Sequence, residues 1–175
     1  MQVAEKVKAN IADIEEHTAL NDDQKVSRIT HIACATCAAV GTQPVPFADI
    51  FLLATLQAYF SSRIAALRGV AISESDAMNY VKGISGMVGI GILAEQIAIG
   101  LWKLVTFGLG GILTFTLDYA LTYAVMKVSD AYFSAKARGE ALDREQIRSI
   151  WKSAYSEGKR KGVTEKQKMQ ARKRH

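Results

Sequence analysis

Apolar residues recur at helical spacing along most of this 175-residue chain, and no long stretch alternates between apolar and polar positions as a half-buried strand does. Val3, Val7, Ile11 and Ile14, for example, fall three or four residues apart with charged residues between them. We therefore expect an all-α protein, a helical bundle of about six helices with a central Gly-rich apolar hairpin. The predicted helices cover about residues 3–16, 22–40, 47–67, 73–105, 112–137 and 142–157.

Capping and turn residues mark several ends of these helices. Asn21 precedes Asp22 and Asp23, which predicts a helix start, because an Asn side chain caps free backbone N–H groups and acids favour the positive end of the helix dipole. Gly69 and Gly139 are predicted to end the third and fifth helices, since glycine readily adopts the left-handed conformation that closes a helix.

The middle of the chain is apolar enough to suggest a membrane. Residues 83–102 and 104–126 each hold one charged residue, Glu95 and Asp118, and a helix that spans a bilayer needs about 20 predominantly apolar residues. Each acid would cost about 2.5–3.5 kcal/mol near the bilayer centre, which argues against full spanning. Two alternatives stay open for a hairpin over about residues 82–135, insertion into a membrane or burial in a soluble bundle. The hairpin residues of interest are Glu95, Lys103, Gly108, Gly110, Gly111 and Asp118.

The overall net charge of +5 conceals a strong segregation of charge along the chain. Residues 1–31 carry −2, residues 32–135 carry −1 and residues 136–175 carry +8. We divide the chain into one helical domain over 1–157 and a basic tail over 158–175. The tail lacks interleaved aromatic residues that could stack on bases, so we predict that it binds anionic lipid rather than nucleic acid. Each basic residue would contribute about 1 kcal/mol near the membrane surface. The alternative is a tail that only keeps the protein soluble. The tail residues predicted to bind lipid are Lys159, Arg160, Lys161, Arg172, Lys173 and Arg174.

No set of residues typical of catalysis is present in the sequence. His31, Cys34 and Cys37 share one predicted helix face, but a closed zinc site needs four ligands, and cysteines in an Ala-rich helix are typical core residues. A phosphate-binding GxxxxGK[ST] loop does not occur. We therefore predict that the protein is not an enzyme and uses no metal or cofactor.

A distinctive sequence occupies residues 40–73, VGTQPVPFADIFLLATLQAYFSSRIAALRGVAIS. Together with the Gly-rich hairpin and the sequence YFSAKARGEAL at 132–142, it resembles the YcjF-like GTPase-associated membrane domain, a bacterial family without an assigned biochemical role. The resemblance covers about residues 30–157. It is carried by Pro44, Pro46, Phe47, Asp49, Gln57, Ile64 and Gly69.

The resemblance implies a helical, membrane-associated protein that works with a GTPase. This chain contains no G domain, so any GTP hydrolysis would belong to a partner. We expect a non-enzymatic accessory protein at the cytoplasmic face of a bacterial inner membrane, with the basic end on the cytoplasmic side. Two alternatives remain, a cytoplasmic helical module that forms homo-oligomers through Gly-rich helices and an effector whose hairpin inserts to form a pore.

Overall fold

A computed structural model describes residues 2–42, 48–88 and 111–172, and throughout these ranges the only regular secondary structure is α-helix. The predicted all-α fold is therefore confirmed. The helices are α1 (Gln2–Glu16), α2 (Asp22–Gly41), α3 (Ala48–Leu67), α4 (Glu74–Val88), α5 (Gly111–Ala137) and α6 (Arg144–Arg172).

The helix ends predicted from capping and turn residues are confirmed. The Asn21 side chain accepts a hydrogen bond from the Gln24 backbone N–H at 2.9 Å, and the Gln24 side chain accepts one from the Asn21 N–H at 3.0 Å, which completes a capping box. Gly69 and Gly139 follow α3 and α5 with φ angles of 76° and 74°, a conformation that glycine adopts without steric cost.

Helix α5 lies at the centre of the bundle and packs against α2, α3 and α6. It is buried on nearly every side from Thr114 to Ser129, which explains why its sequence shows little amphipathic patterning. Helix α4 packs against α3 and α6, and α1 packs against α2. The core is built mainly from aliphatic and aromatic side chains of α2, α3 and α5, with Ile147, Trp151 and Ala154 of α6 added on one side.

Helix α6 is much longer than the sequence predicted. We expected it to end near Glu157, followed by a tail, but it continues to Arg172. Gly158 does not end the helix; a Cβ there would lie 2.8 Å from Ala120 Cα, so the missing side chain lets α6 approach the α5 backbone. A Cβ on Gly162, one turn further, would lie 3.2 Å from Thr116 O, which is also a close approach. Residues 158–172 are therefore helical, so the predicted helix end near Glu157 is wrong, and α6 packs on α5 as far as Gly162.

The structure describes only part of the predicted apolar hairpin. Helix α4 carries it to Val88 and α5 resumes at Gly111, where the sequence predicted a turn. Among the described residues, none of the helices combines the length and apolarity needed to cross a membrane. Glu95, Lys103, Gly108 and Gly110 lie outside the described residues.

Asp118 of α5 is 2 % exposed and lies against α2 at Gly41. A Cβ on Gly41 would occupy the space of the Asp118 carboxylate, so this glycine makes room for the acid inside the bundle. Asp118 was one of the two lone charges that argued against full spanning. Its position is at a junction between helices of the bundle.

Candidate functional site

A line of basic side chains runs along one flank of α6, beside the end of α4. Arg148, Lys152, Lys159 and Lys166 are four, seven and seven residues apart, which places them within about 40° of one line on a helix of 3.6 residues per turn. The first three are exposed and Lys166 is half-buried. We call these four residues the basic stripe; at about 1.5 Å per residue it extends over about 27 Å.

The acidic residues of α6 lie away from the basic stripe once the first turn, with Glu145, is passed. Glu157 accepts a hydrogen bond from the Tyr123 hydroxyl of α5 at 2.8 Å and pairs with Lys161 at 3.0 Å. Glu165, whose side chain is 19 % exposed, lies 3.6 Å from Lys168. Beyond the first turn of α6, positive and negative charge are therefore segregated, with the two carboxylates on the side of α5 and the basic stripe on the flank next to α4.

Tyr123, Glu157 and Lys161 form a small network on the inner side of α6. The Lys161 ammonium donates to the Tyr123 hydroxyl at 3.2 Å and lies 4.8 Å from the centre of its ring. Burial raises the pKa of Glu157, but hydrogen bonds from Lys161 and Tyr123 outweigh it and bring the pKa below its ordinary value. Burial likewise lowers the pKa of Lys161, but hydrogen bonds to Tyr123 and Glu157 outweigh it and raise the pKa above its ordinary value. Both groups are thus held charged, and their hydrogen bonds to the Tyr123 hydroxyl connect α6 with α5.

A groove of about 590 Å³ opens between α2, α5 and α6, on the opposite flank of α6 from the basic stripe. Tyr119, which is 3 % exposed, has its hydroxyl 3.4 Å from Nδ1 of His31 in the wall. Arg68 closes one end by binding Asp23 at 2.8 Å and Asp130 at 2.7 Å. A shallower extension, of about 340 Å³, continues from His31 along α6 to Lys168.

Polar side chains also connect α3 with α5 inside the bundle. Gln57 donates to the Thr122 hydroxyl at 3.2 Å, and the hydroxyls of Ser61 and Ser129 lie 2.9 Å apart. Such pairs satisfy polar groups that would be costly to bury alone, and they set the register between the two helices. Gln57, a residue of the family resemblance, therefore has a packing role here.

The remaining residues that carry the family resemblance are only partly described. Gly69 forms the left-handed end of α3, where the Val70 N–H donates to Ala65 O at 2.9 Å. Asp49 belongs to α3, but its side chain lies outside the described residues, as do Pro44, Pro46 and Phe47.

The candidate metal ligands point in different directions. Cys34 and Cys37 are fully buried in the core, where burial raises the pKa of Cys37 to about 12 and that of Cys34 well above its usual value. His31 is exposed at the groove. Within the described ranges, no three His, Cys, Asp or Glu side chains are placed to share a metal ion.

The predicted lipid-binding residues do not share one surface. Lys159 and Arg160 lie outward, and the Lys159 ammonium is 4.4 Å from the Tyr155 ring centre. Lys161 faces the groove, and Arg172 ends α6. Lys173 and Arg174 lie outside the described residues. Sequence reasoning treated these residues as a flexible cluster and so missed Arg148, Lys152 and Lys166, which helical spacing aligns with Lys159.

Described residues close in sequence to either end of the segment 89–110 contact α6. At one end, Arg148 donates to the carbonyl of Met87, in the last turn of α4, at 3.0 Å. At the other, Gly162 packs on Thr116, five residues after the start of α5. The sequence of the intervening segment holds only Glu95 and Lys103 as charged residues. Described residues on both sides of this segment therefore contact the helix that carries the basic stripe.

The fold and this surface define an all-α helical bundle with a segregated basic face. Comparison with protein-family models, with curated proteins and with solved structures found no significant match. The family resemblance seen in residues 40–73 stays a prediction.

Proposed function

We propose that this chain is a non-enzymatic accessory protein that docks on an anionic membrane surface through the basic stripe of α6. The observation that carries the proposal is the alignment of Arg148, Lys152, Lys159 and Lys166 along one flank of α6, with Glu157 and Glu165 turned away from it. A flat array of basic side chains over about 27 Å suits a charged plane, and each contributes about 1 kcal/mol near anionic lipid.

The position of the stripe favours lipid over nucleic acid. Its first residue, Arg148, contacts the end of α4, from which the chain enters its most apolar segment. An apolar segment beside a basic face is typical of proteins bound at a membrane interface. Aromatic side chains that could stack on bases are sparse on this face, where Tyr155 already lies beneath Lys159.

The resemblance in residues 40–73 adds a partner to this proposal. It suggests that the membrane is the cytoplasmic face of a bacterial inner membrane and that the partner is a GTPase. In this account the chain would hold its partner at the membrane, and catalysis would lie outside the chain.

Vesicle binding tests the proposal directly. We expect the full chain to co-sediment with vesicles containing phosphatidylglycerol, to bind vesicles of phosphatidylcholine weakly, and to lose most of its binding as salt is raised, because exposed charges are screened. Equal binding to the two lipids, or tight salt-sensitive binding to RNA or DNA with none to vesicles, would contradict the proposal. Leakage of trapped dye on addition of the chain alone would favour the pore-forming alternative instead.

A further inference from the structure

The groove between α2, α5 and α6 is lined by a lysine of the otherwise buried central helix. From Asp118 to Ser129 every residue of α5 is buried except Lys127, which is half-buried and lines the groove. Within the described part of the chain, Lys127 has no salt-bridge partner. The charge of Lys127 lowers the pKa of Glu157, which also pairs with Lys161 at 3.0 Å, so one carboxylate faces two cations at this groove.

Further positive charge comes from the two neighbouring helices. Arg28 of α2 is exposed at the rim and, among the described residues, has no acidic partner, while Lys161 of α6 lines the same groove. The acids in the wall, Asp23 and Asp130, are both bound by Arg68. The groove therefore presents three cations to an anion, and two of them, Lys127 and Lys161, share the single carboxylate of Glu157.

The rest of the wall suits a ligand with an apolar part and several oxygen atoms. Ile14, Val26 and Ile32 supply apolar surface, and His31 with the hydroxyls of Tyr119 and Tyr123 supplies hydrogen-bonding groups. A volume of about 590 Å³ is typical of sites for small organic molecules.

We propose that this groove binds a small organic phosphate, with the phosphate between Lys127, Arg28 and Lys161 and the apolar part against α2. Three cations from three helices match the charge and oxygen count of a phosphate monoester better than those of a carboxylate. The site lies on the other flank of α6 from the basic stripe, so it is independent of membrane docking and goes beyond the function proposed above.

The test uses phenyl phosphate as the probe, with binding to the full chain followed by calorimetry and by NMR. We expect one molecule to bind per chain, with inorganic phosphate and benzyl alcohol each binding more weakly. Lys127→Met should reduce affinity about tenfold, because it removes a charge-assisted contact and keeps the packing of the side chain. Arg28→Gln should also weaken binding. Because Arg28 is exposed, this variant is expected to fold even if Lys127→Met does not, so the test does not depend on one variant.

Two controls decide the result. The double variant Lys152→Gln and Lys159→Gln changes the basic stripe and should leave the affinity for phenyl phosphate unchanged. A loss of affinity in this variant would mean that the overall charge of the protein attracts the probe. A six-carbon acyl glycerol phosphate distinguishes a lipid headgroup from a soluble metabolite as the source of the phosphate. Absence of binding by both probes, or unchanged affinity in both groove variants, would overturn the proposal whether or not the chain binds vesicles.

Discussion

Gly158→Leu is expected to lower the free energy of unfolding by about 3 kcal/mol or more, as severe overpacking of a close helix contact does. Even a Cβ at this position would lie 2.8 Å from Ala120 Cα and 3.1 Å from Ala120 O. These are backbone atoms of the central helix, so they cannot swing aside as a flexible side chain could. The two helices must separate, which would also break the Tyr123–Glu157 hydrogen bond. Chemical denaturation followed by circular dichroism measures the change.

Ser156→Leu is the matched control for this substitution. Ser156 is exposed on the same helix, two residues away, and leucine is a better helix former than serine. It should therefore leave the free energy of unfolding unchanged or raise it slightly. If Gly158→Leu were as stable as the wild-type protein, α6 would not pack on α5 through this glycine, and the position of the basic stripe on the flank next to α4 would lose its support.

Neutralising the basic stripe is expected to reduce partitioning onto phosphatidylglycerol vesicles about a thousandfold. The change is Arg148→Gln, Lys152→Gln, Lys159→Gln and Lys166→Gln in one chain. Four basic residues at about 1 kcal/mol each amount to about 4 kcal/mol, or roughly three orders of magnitude in a binding constant. Co-sedimentation over a range of lipid concentrations measures the constant.

A control variant with the same change in net charge tests whether the position of the basic residues matters, or only the total charge of the protein. Lys6, Lys8, Lys82 and Lys136 are exposed on α1, α4 and the end of α5. Changing these four to glutamine also removes four positive charges, but at scattered positions. We expect a much smaller loss of binding in this variant; equal losses in the two variants would mean that the stripe has no special part in docking.

The helix ends of the fold were predictable because they depend on neighbouring residues. Asn21 and Gln24 cap α2, and Gly69 and Gly139 close α3 and α5, through contacts within one turn of helix. Such local chemistry is visible in sequence. The Gln57–Thr122 hydrogen bond, which joins residues 65 positions apart, is not.

The extent of α6 was mispredicted because glycine has two opposite uses in helices. Gly158 was interpreted as a helix end, yet it serves close packing, and only its partner Ala120 distinguishes the two. The spacing of Ala154, Gly158 and Gly162 at intervals of four was the available signal, since small residues at that interval lie on one helix face. Because the predicted helix ended at Glu157, Lys159 was not recognised as lying on the same helix face as Arg148 and Lys152.

The groove could not be found from sequence because its wall comes from five separated segments, in α1, α2, α5 and α6 and at the end of α3. His31 and Tyr119, which lie 3.4 Å apart, are 88 residues apart in the chain. Lys127, inside an otherwise buried stretch, was the one residue that could have pointed to it.

Protection of lysines from acetylation tests the central claim most directly, because it identifies which side of the protein meets the membrane. The full chain is acetylated with and without phosphatidylglycerol vesicles, and each lysine is quantified by mass spectrometry. The account predicts that vesicles slow acetylation of Lys152 and Lys159 and leave Lys6 and Lys136 unchanged. If bound protein showed Lys152 and Lys159 reacting as fast as in the absence of vesicles, the basic stripe would not be the membrane-docking surface.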